Sequence, residues 1–201
     1  MAGPDDEFKA KARQLESEYL KSDDPIVQSG FSGGTDRWIA ERSPLVQGID
    51  RDGDFLDVGC ANGLLAQDVM KWAAHAGFEL IPHGFDIGPR LIDLARGRLP
   101  VFADNFQVAD AWVWEPDRQW TYVYSVLELS PEEIWCEWIE RLMSWVGTGG
   151  RLILGSYGGR TPRRDPLDVE EVIRRCGLSV GGTSVGGEPV VARFAWTTHT
   201  I

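Results

Sequence analysis

Short apolar runs alternate with longer amphipathic stretches over most of the chain, which predicts a series of strands separated by helices. From Asp54 onward this order is regular, and strands that alternate with helices are typical of a parallel sheet covered on both faces. The predicted strands are Phe55–Val58, Glu79–Phe85, Val101–Val108, Thr121–Leu127 and Arg151–Ser156. The predicted helices are Gly63–Ala76, Pro89–Arg96, a helix behind a capping box at residues 130–133, and a helix from Asp165 to near Gly177.

The last two apolar runs, Leu178–Val185 and Val190–Trp196, predict a hairpin at the end of the sequence. We therefore expect an α/β fold whose doubly wound, mostly parallel, seven-stranded sheet carries an antiparallel C-terminal hairpin. Gly77 and Gly97 are expected just after the ends of two helices. Because crossovers are right-handed, the ligand crevice is expected at the carboxyl ends of the strands.

The first 50 residues follow a different pattern. Residues 5 to about 21 predict an amphipathic helix, Gln28 to Thr35 a mobile glycine-rich loop, and Thr35 to about Val46 a second helix that Pro44 interrupts. This segment is too short for a second domain. We interpret residues 1–201 as a single domain, with 1–50 as a helical cap or lid and 51–201 as the ligand-binding core.

Composition and charge narrow the function. Hydrophobic residues make up 43% of the 201 residues, charged residues 25%, and the net charge is -11. A negative surface repels a phosphate backbone, which argues against a nucleic-acid-binding protein and favours a small-molecule partner. Cys60, Cys136 and Cys176 are far apart and form no CxxC pair, so we expect reduced cysteines and no disulfide. With no apolar run for a signal peptide or a membrane span, we expect a cytoplasmic protein without a membrane partner; the oligomeric state is left open.

The most informative segment is the glycine loop Gly59–Gly63, which joins a buried strand to a helix. Gly59 allows a sharp turn, Gly63 allows the helix to begin close to a ligand, and free N–H groups at that helix start can hold a carboxylate. Asp86 ends the second predicted strand, where a carboxylate can accept hydrogen bonds from both hydroxyls of a ribose. Ile87 can then pack on an adenine ring. Asp110 ends the third strand, where it can accept a hydrogen bond from the adenine amino group.

These motifs, taken together, resemble those of class I S-adenosylmethionine-dependent methyltransferases. The run DVGCANG resembles that family's first motif, an acidic residue followed by GxGxG, with Ala61 in place of the middle glycine. Residues 122–128 resemble the fourth-strand motif and residues 149–154 the turn into the fifth strand, so the resemblance covers about 54–200. It implies a Rossmann-like methyltransferase fold, S-adenosylmethionine as cofactor, and methylation of a small-molecule acceptor by in-line displacement. The cofactor-binding residues that it implies are Asp57, Gly59, Cys60, Ala61, Asn62, Gly63, Asp86, Ile87, Asp110, Ala111 and Ser125.

Two other functions stay open. A catalytically silent S-adenosylmethionine-binding protein would carry the same motifs, because methyl transfer needs no dedicated catalytic side chain. A NAD(P)-binding oxidoreductase is less consistent with the sequence, because its loop has the pattern GxGxxG and Gly59 and Gly63 here are separated by CAN. His75, His83 and His199 lack the spacing of metal ligands, so we expect no metal.

The acceptor pocket is expected between the cap and the strand ends. Apolar and aromatic side chains can wall a pocket for a flat or apolar acceptor, and the candidates are Phe31, Trp38, Trp112 and Tyr157. Glu128 follows the fourth strand and is the candidate catalytic residue, as a group that orients the acceptor or removes its proton. The alternative for Glu128 is a structural role in capping a loop or helix.

Overall fold

A computed structural model of the chain describes residues 6–160 and 162–200. The helices are α1 (Asp6–Tyr19), α2 (Thr35–Arg42), α3 (Leu64–His75), α4 (Pro89–Arg98), α5 (Trp135–Ser144) and α6 (Val169–Arg175). The strands are β1 (Gly53–Val58), β2 (Leu80–Asp86), β3 (Phe106–Val108), β4 (Trp120–Val126), β5 (Val146–Tyr157), β6 (Gly159–Arg160), β7 (Arg163–Arg164), β8 (Gly182–Gly186) and β9 (Ala192–Thr198). Short 3-10 turns lie at Val27–Ser29, Ser43–Gly48, Pro100–Asn105, Leu127–Leu129 and Glu132–Ile134.

Seven strands form one sheet in the order β3-β2-β1-β4-β5-β9-β8. The first five are parallel, and β9 runs antiparallel between β5 and β8. The expected fold class is therefore confirmed, including the C-terminal hairpin. The strand order reverses between β1 and β4, which leaves a crevice at their carboxyl ends.

Alternation along the central strands divides the core between the two faces of the sheet. Leu56 and Val123 belong to one apolar cluster, which packs against α5 and α6, whereas Phe55 and Tyr122 belong to a second cluster with α3. Because side chains of a strand point alternately to opposite faces, this division follows directly from the sequence. The two layers hold the ends of β1 and β4 in place below the crevice.

Several element boundaries differ from the predictions. Residues 100–105 form a 3-10 turn, so β3 is much shorter than predicted, and Gly97 lies inside α4. The predicted capping box is wrong, because Ser130 Oγ donates to Leu127 O and a 3-10 turn precedes α5. The last helix begins after Asp168, whose side chain accepts a hydrogen bond from Glu171 N–H, rather than at Asp165.

Cys136 and Cys176 form a disulfide, which contradicts the expectation of reduced cysteines. Cys136 lies in α5 and Cys176 directly follows α6. The two cysteines are 40 residues apart in the sequence, but they lie close together in the fold because α5 and α6 pack against each other. Cys60 is a buried free thiol.

The described residues contain neither a candidate membrane span nor a candidate metal site. No helix among them is both long enough and apolar enough to cross a membrane. Within the same ranges, no group of three or more His, Cys, Asp or Glu side chains is placed to hold a metal ion.

Candidate ligand-binding and active site

A cavity of about 620 Å³ lies at the carboxyl ends of the parallel strands. Its floor includes Asp57 at the end of β1, Asp86 at the end of β2, and Tyr157 at the end of β5. Residues of α1, of α2 and of the segment between them also line the cavity. Nine residues predicted for the site line this cavity, namely Phe31, Trp38, Asp57, Gly59, Cys60, Ala61, Asp86, Ile87 and Tyr157.

The loop after β1 turns sharply at Gly59, as the sequence predicted. Gly59 has φ +77°, and a Cβ there would lie 2.8 Å from Leu129 Cδ1. The N–H groups of Gly59 and Cys60 both donate to Phe85 O, at 2.9 and 3.0 Å. Ala61 also has a positive φ, +45°, which is unfavourable for a residue with a Cβ. The replacement of the middle glycine is therefore accommodated with local strain.

Asn62 and Gly63 contribute to the scaffold rather than to the cavity wall. Asn62 Nδ2 donates to Pro25 O at 2.8 Å, and Asn62 Oδ1 accepts a hydrogen bond from Leu64 N–H at 3.2 Å. Asn62 thus attaches the loop to the cap and satisfies an amide at the start of α3. A Cβ on Gly63 would lie 2.8 Å from Ala95 Cβ, so this glycine allows α3 to pack closely on α4.

Asp86 holds two loops by its carboxylate. Its Oδ2 accepts a hydrogen bond from Ala61 N–H at 3.0 Å, and its Oδ1 accepts one from Gly88 N–H at 2.8 Å. Burial raises the pKa of Asp86, while these backbone donors act in the opposite direction. Asp86 is therefore a fixed acceptor at the cavity wall.

Asp57 is a buried carboxyl group with an unsatisfied oxygen. Its side chain is 2% exposed, and Oδ2 has no hydrogen-bond partner among the described residues. Burial, and secondarily the charge of Asp86, raises the pKa of Asp57 to about 7. A buried carboxylate without a partner is costly, so this group favours a cationic ligand or a proton.

Helix α1 contributes residues that the sequence analysis missed. Leu15, Glu16 and Tyr19 line the cavity on the side of Asp86. Glu16 Oε1 accepts a hydrogen bond from Arg90 N–H at 2.8 Å, which joins α1 to the start of α4. Burial, and secondarily the charge of Asp86, raises the pKa of Tyr19. The amphipathic pattern predicted the helix but carried no information on which core residues it would cover.

The second half of the cap supplies aromatic walls. Phe31 and Trp38 are buried and meet edge to face, with ring centroids 5.6 Å apart. Trp38 Nε1 donates to Asp68 Oδ2 at 2.8 Å, which attaches α2 to α3. These contacts attach α2 to the core, and the role of residues 1–50 as a cap or lid stays a prediction.

Arg42 is a second residue that the sequence analysis missed. It is 8% exposed and lines the cavity, and its guanidinium carbon lies 3.5 Å from the Tyr157 ring centroid and 4.7 Å from that of Phe31. Its Nη1 has no hydrogen-bond partner among the described residues. In the sequence Arg42 is an ordinary charged position near the end of a predicted helix, and only the tertiary structure reveals its burial.

Tyr157 connects the arginine to the sheet. Its hydroxyl lies 2.7 Å from the hydroxyl of Tyr124 in β4. Burial raises the pKa of Tyr157 even though Arg42 acts to lower it, and burial raises the pKa of Tyr124 well above its ordinary value. Both phenols are therefore neutral hydrogen-bonding groups at ordinary pH.

Besides Asn62 and Gly63, five further predicted residues lie outside the cavity wall. Ser125 is fully buried and donates to Val126 O, and Trp112 packs on Trp138 with ring centroids 4.7 Å apart. Asp110 accepts a hydrogen bond from Trp112 N–H, and Ala111 O accepts one from Arg141 Nε. Glu128 is exposed, and its Oε1 accepts hydrogen bonds from Ser156 Oγ at 2.6 Å and from Tyr157 N–H at 3.2 Å. The geometry of Glu128 matches the capping alternative, and its catalytic role stays a prediction.

The charged residues that line the cavity differ in sign between the elements that carry them. Helix α1 and the ends of β1 and β2 contribute Glu16, Asp57 and Asp86, called the acidic half here. Helix α2 and strands β6 and β7 contribute Arg37, Arg42, Arg160 and Arg164, called the arginine half. Glu41 also lies there, where it pairs with Arg37 and Arg160. The cavity can therefore bind a cationic group in one half and an anionic group in the other.

Comparison with known proteins identifies the fold. The chain is similar over nearly its whole length to the magnesium protoporphyrin IX methyltransferase ChlM of Synechocystis with bound S-adenosylmethionine, with a TM-score of 0.67, 16% identity and coverage of 100% of both chains. It is similar to the N-methyltransferase NodS of Bradyrhizobium japonicum in complex with S-adenosylhomocysteine, with a TM-score of 0.66, 17% identity and coverage of 94% of this chain and 98% of that one. It is also similar to the 1,6-didemethyltoxoflavin-N1-methyltransferase of Burkholderia thailandensis, with a TM-score of 0.68, 12% identity and coverage of 100% and 92%. The class I methyltransferase fold implied by the sequence motifs is thus confirmed.

Sequence similarity to curated proteins is more distant. The malonyl-[acyl-carrier protein] O-methyltransferase 1 of Ilyobacter polytropus is 23% identical over 118 residues. The aligned region covers 58% of this chain and 42% of that protein, so the chain spans less than half the length of this curated relative. No protein-family model matches the sequence.

Proposed function

We propose that the protein transfers the methyl group of S-adenosylmethionine to a small-molecule acceptor. The observation that carries this proposal is the buried carboxyl group of Asp57, which lines the cavity beside the glycine loop and whose Oδ2 has no hydrogen-bond partner among the described residues. The fold around it is that of class I methyltransferases. S-adenosylmethionine carries an ammonium and a sulfonium group, so a buried carboxylate oxygen that is open to a ligand fits it in charge.

The acidic half also offers partners for the other parts of the cofactor. Asp86 has the position at the end of β2 that binds a ribose in doubly wound folds. The N–H groups at the start of α3 are expected to hold the methionine carboxylate. Ile87 lines the cavity and is expected to pack on the adenine ring, with Asp110 and Ala111 near its edge.

When bound, S-adenosylmethionine supplies a methyl group already activated by positive sulfur. The chain then has to align the acceptor and exclude water. Phe31, Trp38 and Tyr157 form the apolar walls suited to this task. If the acceptor needs to lose a proton, Glu128 stays the proposed base, and Tyr157 can hold the acceptor by a hydrogen bond.

Two of the acceptors named for similar proteins support a small molecule as the substrate class, namely magnesium protoporphyrin IX and 1,6-didemethyltoxoflavin. The third, malonyl-[acyl-carrier protein], is attached to a protein. These differ widely in shape and charge, so the fold alone does not select an acceptor. A cytoplasmic location also stays a prediction, and the Cys136–Cys176 disulfide is a bond that is uncommon in cytosolic proteins.

Calorimetric titration with S-adenosylhomocysteine and with NAD tests the cofactor. We expect binding of S-adenosylhomocysteine and none of NAD; the reverse result would reject a methyltransferase in favour of the oxidoreductase alternative. Incubation with methyl-labelled S-adenosylmethionine and a metabolite library then distinguishes an enzyme from a silent binding protein. Once an acceptor is known, single-turnover rates of Glu128→Gln across pH test the base, and an unchanged profile excludes it.

A further inference from the structure

The arginine half of the cavity contains a buried cation that no carboxylate of the described chain neutralises. The Arg42 side chain is packed against three aromatic rings, those of Tyr157, Phe31 and Trp38. Aromatic faces attract a cation, but they do not accept the directional hydrogen bonds of a guanidinium. Nη1 accordingly lacks a hydrogen-bond partner within the described part of the chain. A buried guanidinium in this state is suited to bind an anion that enters the cavity.

The carboxylate next to Arg42 in the sequence, that of Glu41, forms ion pairs with two other arginines. Glu41 precedes Arg42 and is 4% exposed, and its Oε1 lies 3.1 Å from Arg37 Nε and 3.2 Å from Arg160 Nη2. These two contacts place a second and a third guanidinium at the cavity wall. Because the single carboxylate of Glu41 is shared between Arg37 and Arg160, the arginine half has a net positive charge even before Arg42 is counted.

Arg164 extends the same charge around the opening. Its Nη2 donates to Tyr157 O at 3.1 Å, and its side chain lines the cavity. The chain as a whole has a net charge of -11. The positive charge of the arginine half is therefore opposite in sign to that of the protein. Such a local field attracts small anions selectively into the site.

We propose that Arg42 binds an anionic group of the methyl acceptor, a carboxylate or a phosphate, and that the arginine half thereby selects anionic acceptors. This inference rests on the proposed methyltransferase function, which assigns the acidic half to the cofactor and leaves the arginine half to the acceptor. Arg42 is then a specificity-determining residue. The planar guanidinium suits this role, since it binds an anion by two parallel hydrogen bonds while its face stays stacked on Tyr157.

Anion binding is measured with two simple probes, inorganic phosphate and succinate. The protein is saturated with S-adenosylhomocysteine in a buffer free of other oxyanions, and each probe is titrated while the melting temperature and the Nε resonances of the arginines are followed. We expect wild type to bind at least one probe, and Arg42→Gln to weaken that binding roughly tenfold or more, the scale for loss of hydrogen bonds to a charged group. Arg42→Met, which matches the apolar surroundings, is the second variant if the glutamine variant is unstable.

Arg163→Gln is the matched control. Arg163 lies in β7 with Arg164, and β7 pairs with β6, which contains Arg160, to form the β6–β7 hairpin. Arg163 is exposed, pairs with Asp165 and does not line the cavity. This variant should keep the affinity of wild type for both probes. An equal loss in Arg163→Gln and Arg42→Gln would mean that the probes sense general surface charge, which overturns the proposal.

A second arm distinguishes the acceptor anion from the carboxylate of the cofactor. The affinities of S-adenosylhomocysteine and of 5′-methylthioadenosine, which lacks the amino-acid part, are measured for wild type and Arg42→Gln. The proposal predicts that both affinities change less than about twofold. A large loss for S-adenosylhomocysteine alone would assign Arg42 to the cofactor and overturn the proposal, as would unaltered binding of both probes in the variant.

The same data separate failure of this inference from failure of the proposed function. If wild type binds no S-adenosylhomocysteine, the methyltransferase proposal fails. The probe titrations are then repeated without it, and loss of probe binding in Arg42→Gln would still establish the anion site.

Discussion

Ala61 N–H donates a hydrogen bond of 3.0 Å to Asp86 Oδ2, so the carboxylate at the end of β2 holds the loop that follows β1. We expect Asp86→Ala to weaken the binding of S-adenosylhomocysteine by about 1–3 kcal/mol, because it removes an acceptor for the ribose and releases this loop. Asp93→Ala, at an exposed position of α4, is the control. Calorimetric titration of both variants measures the difference, and equal affinities in two folded proteins would contradict the assignment of Asp86.

Asp57 predicts a pH dependence of stability. Its pKa is raised from the ordinary 3.8 to about 7, so between these values the folded state holds a proton that the unfolded state has lost. The stabilisation is therefore complete below pH 3.8 and is lost as pH rises through about 7, by about 1.4 kcal/mol per pKa unit. Denaturant unfolding of the ligand-free protein at several pH values should show this decline. It should be absent, or much smaller, in Asp57→Asn.

Ligand binding should reverse the preference of Asp57 for a proton. A cationic ligand beside the carboxyl group favours its ionised form and lowers the pKa. We expect S-adenosylhomocysteine, which carries an ammonium group, to bind with release of a proton near pH 6, and its affinity to rise between pH 5 and 8. Calorimetry in two non-phosphate buffers of different ionisation enthalpy measures the proton. Equal proton release in Asp57→Asn would assign it to another group.

Alanine substitutions at Gly59 and Gly77 distinguish the cost of backbone strain from the cost of a steric clash. Both have a positive φ, +77° and +90°, but a Cβ on Gly77 meets nothing within 4 Å, whereas one on Gly59 lies 2.8 Å from Leu129 Cδ1. Gly77→Ala should lower the free energy of unfolding by about 1–2 kcal/mol and keep ligand affinity. Gly59→Ala should cost more and also impair S-adenosylhomocysteine binding. Unfolding curves and titrations of the pair test this, and indistinguishable behaviour would refute the loop's role.

The cap should become less dynamic when the cavity is filled. Gly30, Gly33 and Gly34 flank Phe31, whereas α2 is already attached to α3 by the Trp38–Asp68 hydrogen bond. We therefore expect S-adenosylhomocysteine to slow amide exchange most in residues 28–34 and less in α2. Exchange measured by mass spectrometry reports both segments. Protection confined to residues 59–63 would mean that the cap is a static part of the structure.

The disulfide should contribute measurably to stability. It joins residues 40 positions apart, for which the chain-entropy estimate is about 4 kcal/mol. Cys136→Ser together with Cys176→Ser should lower the melting temperature, and a reducing agent should lower that of wild type but not of the double variant. If reduction leaves wild type unchanged, the two thiols are not joined in solution.

The strand and helix order was predictable because periodicity reports burial directly. The motif loop was predictable because Gly59 and Gly63 need backbone conformations that few other residues adopt. The errors have local causes as well. Residues 101–108 were predicted as one strand, but a 3-10 turn that begins at Pro100 occupies residues 100–105, and Phe102 in it packs against the apolar cluster of α4.

What the sequence could not reveal depends on contacts between distant segments. Arg42 lies in the cap and Tyr157 at the end of β5, and no periodicity indicates that one stacks on the other. The pairing of Cys136 with Cys176 likewise required the packing of α5 on α6. The position of Glu128 after β4 predicts a place near the acceptor, but its carboxylate accepts a hydrogen bond from Ser156 of the neighbouring strand β5.

The arginine half is built from α2 and the β6–β7 hairpin, neither of which belongs to the seven-stranded sheet. The acidic half, in contrast, is formed largely by loops that the sheet itself positions. On the assignment proposed above, substitutions in residues 31–42 and 159–164 are expected to change which acceptor is taken without disturbing the site assigned to the cofactor. Replacement of two short peripheral segments would then change the substrate while the proposed methyl-donor site is kept.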